Sequence, residues 1–374
     1  MTLRFLVLLW CAWAASTAVS RAQMVQTQPE PECHLARNAE IPMSFRDGHY
    51  TVPVDIGGHA YPMVLGIGTD RTAFSPDAIR MLGLTEDARQ ASVVSGLNGA
   101  RSTYPYVLPS LKFGTEEWNH LSVLSMNLPT GSPADVTAPI GILGADVLSR
   151  YDLDVDFPNR TMTLYTAQGC IAQFLPWQGR YFEYAAKTQP RANHRFVIPV
   201  TLNGRKIDAI LSTGSGRTLI KRADLEQVGG TRAAQLTFAP SGPAGSSPRT
   251  VDVYRFDHLQ IGPRSFRNVT LRISDSISDG EDMVLGLDFM HTRRIWFSHS
   301  SERVFMQPSS DQRKVEIPAA IIQPGVFGTI ESGNAPGDDL AAMLRQHPEL
   351  STHTHMTYTP TVRVIERTRL QPPP

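Results

Sequence analysis

Two stretches of this chain share one pattern, and that repeat constrains the fold more than any other feature of the sequence. Each stretch is an apolar segment, a turn containing glycine, a second apolar segment and a tight loop of small residues. This order is typical of a β-hairpin that runs into a loop. The loop positions Gly66 and Ser212 lie 146 residues apart, as do the turn glycines Gly58 and Gly204. The matched segments are residues 52–58 (VPVDIGG) with 198–204 (IPVTLNG), and 63–69 (MVLGIGT) with 209–215 (AILSTGS).

A second pair of matched segments lies downstream in each copy. Residues 142–148 read ILGADVL and residues 284–290 read VLGLDFM. Residues 111–114 (LKFG) likewise match 259–262 (LQIG). Short apolar runs between Gly, Pro, Asn and Asp predict strands throughout, with small helices after each loop at 76–82 and 221–228. The sequence therefore predicts an all-β protein of two similar lobes.

Together these motifs resemble retropepsin-like aspartic peptidases, in the tandem arrangement of bacterial members, over residues 46 to 310. The resemblance implies two acid-protease lobes that form a pseudo-dimer within one chain. In that family the small-residue loop reads Asp-Thr/Ser-Gly. One aspartate comes from each lobe, and the two carboxylates share one proton to activate water. The motifs predict the fold but not the activity, because activity depends on the site.

Both aspartate positions depart from the family pattern. The first loop reads Gly66, Ile67 and Gly68, and the second reads Ser212, Thr213 and Gly214. Glycine has no side chain, and a serine hydroxyl is neither acid nor base near neutral pH. Thr213 keeps the hydroxyl that bonds across to the opposite loop in the family, whereas Ile67 favours apolar packing. We therefore expect no intact catalytic residue.

The resemblance also assigns roles to other positions. Residues implied to form the covering hairpin, or flap, are Ser95, Gly96, Leu97, Asn98 and Gly99. Gly144 and Gly286 are implied to allow close strand crossing, and Asp146 and Asp288 to cap the helices that follow them. Asp70 and Asp208 lie four residues from the lost positions, too far to replace the missing carboxylates. We expect no metal and no cofactor.

The rest of the chain divides by composition. Arg4, the apolar stretch after it and the small residues before position 23 predict a secretory signal peptide, with an uncleaved anchor as the alternative. The predicted divisions are a signal peptide at 1–22, a leader at 23–45, lobe 1 at 46–170, a connector at 171–193, lobe 2 at 194–311 and a low-order tail at 312–374.

Export would leave two cysteines, Cys33 before lobe 1 and Cys170 after it. An oxidising compartment favours a disulfide that joins the ends of the lobe. Two free thiols are the alternative, because sequence cannot give the distance between them.

The charge balance limits the partners. Lys and Arg number 35, and so do Asp and Glu, for a formal charge of zero. We therefore expect no nucleic-acid partner. No stretch after the signal peptide is apolar enough to span a membrane, and we expect a monomer.

Three functional hypotheses remain open. The first is an exported, periplasmic or secreted, inactive peptidase-like protein that binds an extended peptide or a protein between its lobes. The second is an active endopeptidase-like hydrolase with a non-standard site, in which Ser212 would need a nearby base. The third is a structural envelope module.

Overall fold

A computed structural model describes most of the chain. The described residues are 32–87, 92–96, 99–126, 137–170, 174–186, 194–238, 249–275, 277, 281–308 and 362–367.

Lobe 1, taken together with residues 32–45 of the predicted leader, consists mainly of short strands. Its strands are β1 (His34–Pro42), β2 (Ser44–Arg46), β3 (His49–Ile56), β4 (His59–Leu65), β5 (Ala73–Phe74), β6 (Thr85–Glu86), β7 (Ser92–Gly96), β8 (Gly99–Thr103), β9 (Tyr106–Phe113), β10 (Glu116–Ser125), β11 (Gly141–Leu143), β12 (Asp152–Asp156) and β13 (Thr161–Gln168). Its helices are α1 (Pro76–Met81) and α2 (Ala145–Leu148). Ser75 caps α1 through its hydroxyl, and proline begins the helix, so α1 starts where the sequence predicts.

The connector adds one strand, lobe 2 repeats the strand order of lobe 1, and the tail adds one further strand. The strands are β14 (Gly179–Ala185), β15 (Val197–Leu202), β16 (Arg205–Leu211), β17 (Leu219–Lys221), β18 (Thr231–Phe238), β19 (Arg249–Ile261), β20 (Arg264–Ser274), β21 (Met283–Leu285), β22 (Arg293–Ser298), β23 (Arg303–Pro308) and β24 (Val362–Arg367). A 3₁₀ turn (Arg222–Asp224) leads into α3 (Leu225–Val228), and α4 (Leu287–Met290) follows β21.

Each lobe forms one sheet of the same design. The order is β2-β3-β4-β11-β5-β10-β9-β6 in lobe 1 and β15-β16-β21-β17-β20-β19-β18 in lobe 2. A further pairing closes each sheet, β3 with β9 and β15 with β19. In both sheets a short strand, β11 or β21, lies parallel to the strand that leads into the small-residue loop. The two tandem all-β lobes predicted from the repeat are thus confirmed.

A third sheet joins the lobes. Its order is β1-β13-β12-β22-β23-β14-β24, so strands of lobe 1 and lobe 2 are direct neighbours. The junction is the antiparallel pair β12–β22, with Leu153 opposite Phe297 and Val155 opposite Ile295. We call this the joining sheet. All four of these side chains are buried in the main apolar core that runs through both lobes.

Aromatic residues of the connector form a second, smaller core on the joining sheet. Trp177 and Tyr181 are fully buried against Trp296 and Phe305. The Trp177 indole N–H donates to the Asp154 carboxylate at 3.0 Å, and Arg294 holds that carboxylate through two nitrogens. The buried Trp177 N–H and the Asp154 carboxylate therefore satisfy each other, as burial requires.

The two cysteines form a disulfide, Cys33–Cys170, with their Cα atoms 4.3 Å apart. The bridge closes the chain just outside β1 and β13, which are themselves paired from His34 opposite Gln168 onward. The predicted disulfide is confirmed, and the alternative of two free thiols is wrong.

The tail differs from the sequence prediction in one place. Residues 362–367 form β24, which pairs antiparallel with β14 from Gly179 opposite Arg367 to Tyr184 opposite Val362. Val362, Val364 and Ile365 favour a strand, and β14 would otherwise leave one edge unpaired. The predicted signal peptide lies outside the described residues, as does the tail on either side of β24. None of the described helices has the length and hydropathy that a membrane span requires.

Candidate functional site

The two small-residue loops follow equivalent strands. Gly66 comes directly after β4 and Ser212 directly after β16. The Gly66 N–H donates to Leu143 O at 2.9 Å, and the Ser212 N–H donates to Leu285 O at 3.0 Å. The backbone therefore holds both positions against the parallel strand, as the repeat predicts.

The loops touch each other across the lobe junction. The Thr213 hydroxyl accepts from the Ile67 N–H at 2.9 Å and donates to the carbonyl of Leu65. The Thr213 N–H donates to Ile67 O at 2.9 Å. Since Thr213 is buried, these bonds lie in a medium where each is strong and leaving one unmade is costly.

Ile67 makes this contact one-sided. Its side chain is buried in the main core, and it has no hydroxyl to return the bond that Thr213 makes. Lobe 1 thus contributes only backbone groups to the polar contact, whereas lobe 2 contributes both backbone and side chain. The sequence predicts this asymmetry from the residue types alone.

The first aspartate position is closed as well as empty. A Cβ built on Gly66 would lie 2.5 Å from Ile142 Cγ2 and 2.5 Å from Leu143 O. Real Cβ atoms do not approach neighbours so closely, and the carbonyl belongs to a paired strand that cannot move freely. Glycine is therefore required here, and a carboxylate has no room without displacement of β11. The sequence does not reveal this packing.

The third loop position shows a similar contrast. Gly68 has φ +90°, and a Cβ on it would lie 2.5 Å from Leu211 O in the other lobe. A Cβ on Gly214 would meet only Ser212 Oγ at 3.7 Å and Thr69 Oγ1 at 4.0 Å. The first loop is thus pressed against the second, while the second leaves ordinary space beside its own glycine.

Behind each loop, a threonine and an aspartate join two segments of the lobe. Asp146 accepts from the Thr72 N–H at 2.9 Å and from its hydroxyl at 2.6 Å, and the Thr72 hydroxyl accepts from the Gly144 N–H at 3.1 Å. In lobe 2 the corresponding group is Asp288, Thr218 and Gly286. Burial raises the pKa of Asp146, and the bonds from Thr72 and the nearby Arg71 guanidinium counteract that rise.

The predicted helix-capping role of the two aspartates is therefore wrong in detail. Neither α2 nor α4 has a side-chain cap, because Asp146 and Asp288 lie inside the first turn and bond sideways to threonine. Thr72 and Thr218 were not identified from the sequence, although they obey the 146-residue repeat and so offered a signal. Gly144 and Gly286 lie against the backbone of Arg71 and of Arg217, respectively, where no side chain fits.

An arginine connects acids of the two lobes. Arg195 Nε lies 2.8 Å from Asp70 Oδ1, and Arg195 Nη2 lies 2.8 Å from Glu281 Oε1. Asp70 follows the first loop, whereas Arg195 and Glu281 belong to lobe 2. Burial raises the pKa of Glu281, Arg195 lowers it, and Asp70 raises it. Asp70 is thus in an inter-lobe ion bridge, and the sequence offers no signal for Arg195 because its partners are distant in the chain.

Ser212 is only partly buried. Within the described part of the chain its hydroxyl forms no hydrogen bond, with a histidine, a carboxylate or any other group. The flap candidates Ser95, Gly96 and Gly99 lie on a separate β7–β8 hairpin, with Ser95 opposite residue 100 and Gly96 opposite Gly99. Leu97 and Asn98 lie outside the described residues, as does the corresponding loop of lobe 2 at 239–248. A flap role for these residues stays a prediction.

Two closed β lobes, paired loops and a joining sheet define a protein of the two-lobed acid-protease type. A family model described as "Aspartyl protease" matches residues 52–147 and again residues 198–289, which together make up half of the chain. The chain therefore belongs to the aspartyl protease family.

The chain is similar to an aspartic proteinase from Irpex lacteus, with 13% identity and a TM-score of 0.41, over 73% of this chain and 97% of that chain. A search of the curated proteins found no match.

Proposed function

We propose that this protein is an exported, non-hydrolytic member of the aspartyl protease family that binds an extended peptide between its lobes. The observation that carries the proposal is the state of the first loop, where Gly66 has no side chain and no space for one. Ser212 in the second loop leaves the pair without any carboxylate.

The chemistry of the family supports inactivity. Hydrolysis by a carboxylate pair needs one group to accept a proton from water and another to donate a proton, and each such group contributes roughly a hundred- to ten-thousand-fold. Two acids at the lobe junction, Asp70 and Glu281, both pair with Arg195. Because the guanidinium lies between the two carboxylates, they form ion pairs with it and do not share a proton with each other.

Two features support export and binding. The Cys33–Cys170 disulfide suits an oxidising compartment, in agreement with the predicted signal peptide. The loops keep their cross-lobe hydrogen bonds even though both acids are lost, so the floor between the lobes keeps its form. An extended peptide can be held there by backbone pairing, with the Ser212 hydroxyl available as a donor or acceptor.

A peptide library tests both halves of the proposal. The protein is incubated with a pool of unmodified peptides and with a matched pool that carries N-methylated backbones. We expect binding of the first pool, binding of the second weaker by at least about tenfold because donors are lost, and no cleavage of either. Cleavage that pepstatin inhibits would contradict inactivity, and equal binding of both pools, or of neither, would contradict strand-like recognition.

Two variants distinguish two reasons for inactivity: the absence of the carboxylates alone, and the lack of space for a side chain at position 66. Gly66→Asp combined with Ser212→Asp is expected to remain inactive and to unfold at lower temperature, because Asp at position 66 meets Ile142 and Leu143. Ser212→Asp alone is expected to fold normally. Peptidase activity in the double variant would show that the first loop can open, and the closed-site argument would fail.

The alternative of a non-standard hydrolase has its own measurement. If Ser212 were a nucleophile, any cleavage would disappear in Ser212→Ala while binding persisted. Serine needs a base within hydrogen-bond reach for that chemistry, and none of the described residues provides one.

A further inference from the structure

β24 is the one described strand of the joining sheet that has no counterpart in the two-lobe repeat. Outward from the β12–β22 junction, β13 corresponds to β23, and β1 corresponds to β14 because each precedes its lobe. β24 lies beyond β14, whereas β1 is the last described strand on the opposite side of the sheet. β24 is therefore an addition to the shared design of the lobes, and it covers an edge that β14 would otherwise expose.

A single ladder holds β24. Within the described part of the chain it pairs only with β14, antiparallel, from Gly179 opposite Arg367 to Tyr184 opposite Val362. Residues 309–361 separate it from the end of β23. A covalent link of this kind raises the local concentration of a segment but adds no bond to the ladder. The same segment supplied as a separate peptide can therefore make the same backbone bonds to β14.

The register places opposite charges across the ladder. Glu183 of β14 lies opposite Arg363, and Arg180 lies opposite Glu366. Opposite charges at directly opposed positions stabilise a strand pair, whereas like charges destabilise it. A shift by one residue in either direction breaks both charge pairs, and one of the two shifts sets Arg367 opposite Arg180. The edge of β14 therefore selects a strand by its charge pattern as well as by its backbone.

The protein core fixes β14 in position. Tyr181, Glu183 and Tyr184 are buried, and the Glu183 carboxylate forms an ion pair with Arg303 of the neighbouring strand β23. The backbone of β14 is thus ordered before a strand is added at its outer edge. Only the incoming segment loses conformational freedom on pairing, which favours binding.

We propose that the outer edge of β14 is a binding site for extended peptide segments, occupied in this structure by residues 362–367 of the chain itself. The segment that fits runs antiparallel to β14, with a basic residue opposite Glu183 and an acidic residue opposite Arg180. A partner with this charge pattern binds by strand addition once β24 is displaced. The site uses none of the loop residues 66–68 or 212–214, so it does not depend on the peptide site proposed between the lobes.

Peptide binding to an opened edge tests the proposal. In the full chain, Val364→Pro with Ile365→Pro releases β24. Alternate residues of an edge strand donate to the neighbouring strand, so one of these two adjacent N–H groups points at β14. The probe is a fluorescent synthetic peptide of residues 360–369, and its anisotropy is measured. We expect saturable binding to the proline variant, and binding at least about tenfold weaker to wild type, where β24 occupies the edge.

Exchange of charges makes the test specific. A peptide with Arg363→Glu and Glu366→Arg keeps its composition but reverses both charge pairs, so it should bind the proline variant at least about fivefold more weakly. Arg180→Glu, added to the proline variant, should weaken binding of the original peptide and favour a peptide that carries Glu366→Arg alone. Arg267→Glu, at an exposed position of β20, is the matched control and should change neither affinity.

Four results would overturn the proposal: no binding to the proline variant, equal binding to wild type and the proline variant, equal binding of the original and charge-exchanged peptides, or binding that Arg180→Glu leaves unchanged. The last result would mean that the peptide is held elsewhere, for example between the lobes.

A second measurement applies if the proline variant does not fold. In the otherwise unchanged chain, Arg180→Glu should speed hydrogen exchange about fivefold or more at the amides of β14 that face β24. Glu366→Arg in the same chain should restore their protection. Unchanged exchange in Arg180→Glu would equally overturn the proposal.

Discussion

Two glycines occupy the same place in the two loops, yet the structure constrains them differently. Gly68 combines φ +90° with close packing against Leu211 O, whereas Gly214 has ordinary space and no left-handed backbone. A left-handed residue with a Cβ costs roughly 1–2 kcal/mol before any clash is counted. We therefore predict that Gly68→Ala lowers the free energy of unfolding by about 2 kcal/mol or more.

The matched control for this prediction is Gly214→Ala. We expect it to change stability by less than about 1 kcal/mol in either direction. Urea unfolding of both variants measures the difference. Equal losses would show that the two loops are more alike than their contacts indicate.

His299 makes the free energy of unfolding depend on pH in the acidic range. Its ring lies 4.6 Å from Phe196 and 6.2 Å from His194, measured between ring centres. Burial, and to a smaller extent the charge of His194, lower the pKa of His299 to about 3. Since the unfolded chain binds the proton near pH 6.5, the stability from neutral His299 is complete above that pH and is lost as the pH falls toward 3.

We predict that His299→Phe weakens this acid dependence. Phenylalanine keeps an aromatic ring beside Phe196 and cannot be protonated. The urea midpoint measured between pH 7 and pH 4 should fall less in His299→Phe than in wild type, while the exposed control His59→Gln should follow wild type. Parallel curves for all three proteins would show that His299 takes up its proton in the folded state.

At the scale of elements, the Cys33–Cys170 disulfide secures the ends of lobe 1 beside the β1–β13 pair. The bridge spans 137 residues. A cross-link over so long a loop removes much entropy from the unfolded chain and contributes about 2–5 kcal/mol. We predict that Cys33→Ser with Cys170→Ser lowers the free energy of unfolding by this amount.

Reductant provides the control for the disulfide. Wild type should lose stability in reductant down to the level of the double variant, and the double variant should not respond. A wild type that is equally stable in both conditions would mean that the ladder between β1 and β13 alone holds the ends.

The strands and their order are the part of this structure that the sequence predicts best. Paired apolar runs and glycines at a 146-residue spacing identify both loops and the parallel strands behind them. The threonines at 72 and 218 also obey this spacing, but their role depends on hydrogen bonds to Asp146 and Asp288 that the spacing alone does not predict. β24 was missed because its partner strand lies far away in the sequence.

Side-chain packing is the part of this structure that the sequence predicts least. The closure at Gly66 depends on where Ile142 places one methyl group, and no spacing rule contains that information. Arg195 contacts acids on both sides of it in the chain, 125 residues before it and 86 after it. Such contacts follow from the completed fold, so sequence patterns predict the strands that create them but not the contacts themselves.

For the whole molecule, Arg195 is an electrostatic link between lobes. The Glu281 side chain is 5% exposed and that of Arg195 is 14% exposed, so the pair is largely shielded from water. Removing one partner of a shielded pair leaves a buried charge and costs about 3 kcal/mol or more. We predict such a loss for Arg195→Met, measured by urea unfolding.

Two further variants make this prediction specific. Arg222→Met removes an arginine from exposed ion pairs and should cost less than about 1 kcal/mol. Arg195→Met with Glu281→Gln should recover part of the stability, because the more deeply buried of the two carboxylates that Arg195 holds is then gone as well. Absence of any recovery would indicate that Arg195 acts through packing and not through charge.

The joining sheet also limits how the protein can move. Because β12 and β22 are hydrogen-bonded neighbours from Leu153 opposite Phe297 to Asp156 opposite Arg294, the two lobes share one continuous ladder. A hinge between them would have to break backbone bonds inside a sheet whose apolar residues are buried. A ligand that binds between the lobes must therefore enter through movements of surface loops and hairpins. The joining sheet, which keeps the lobes from rotating apart, limits the size of that ligand.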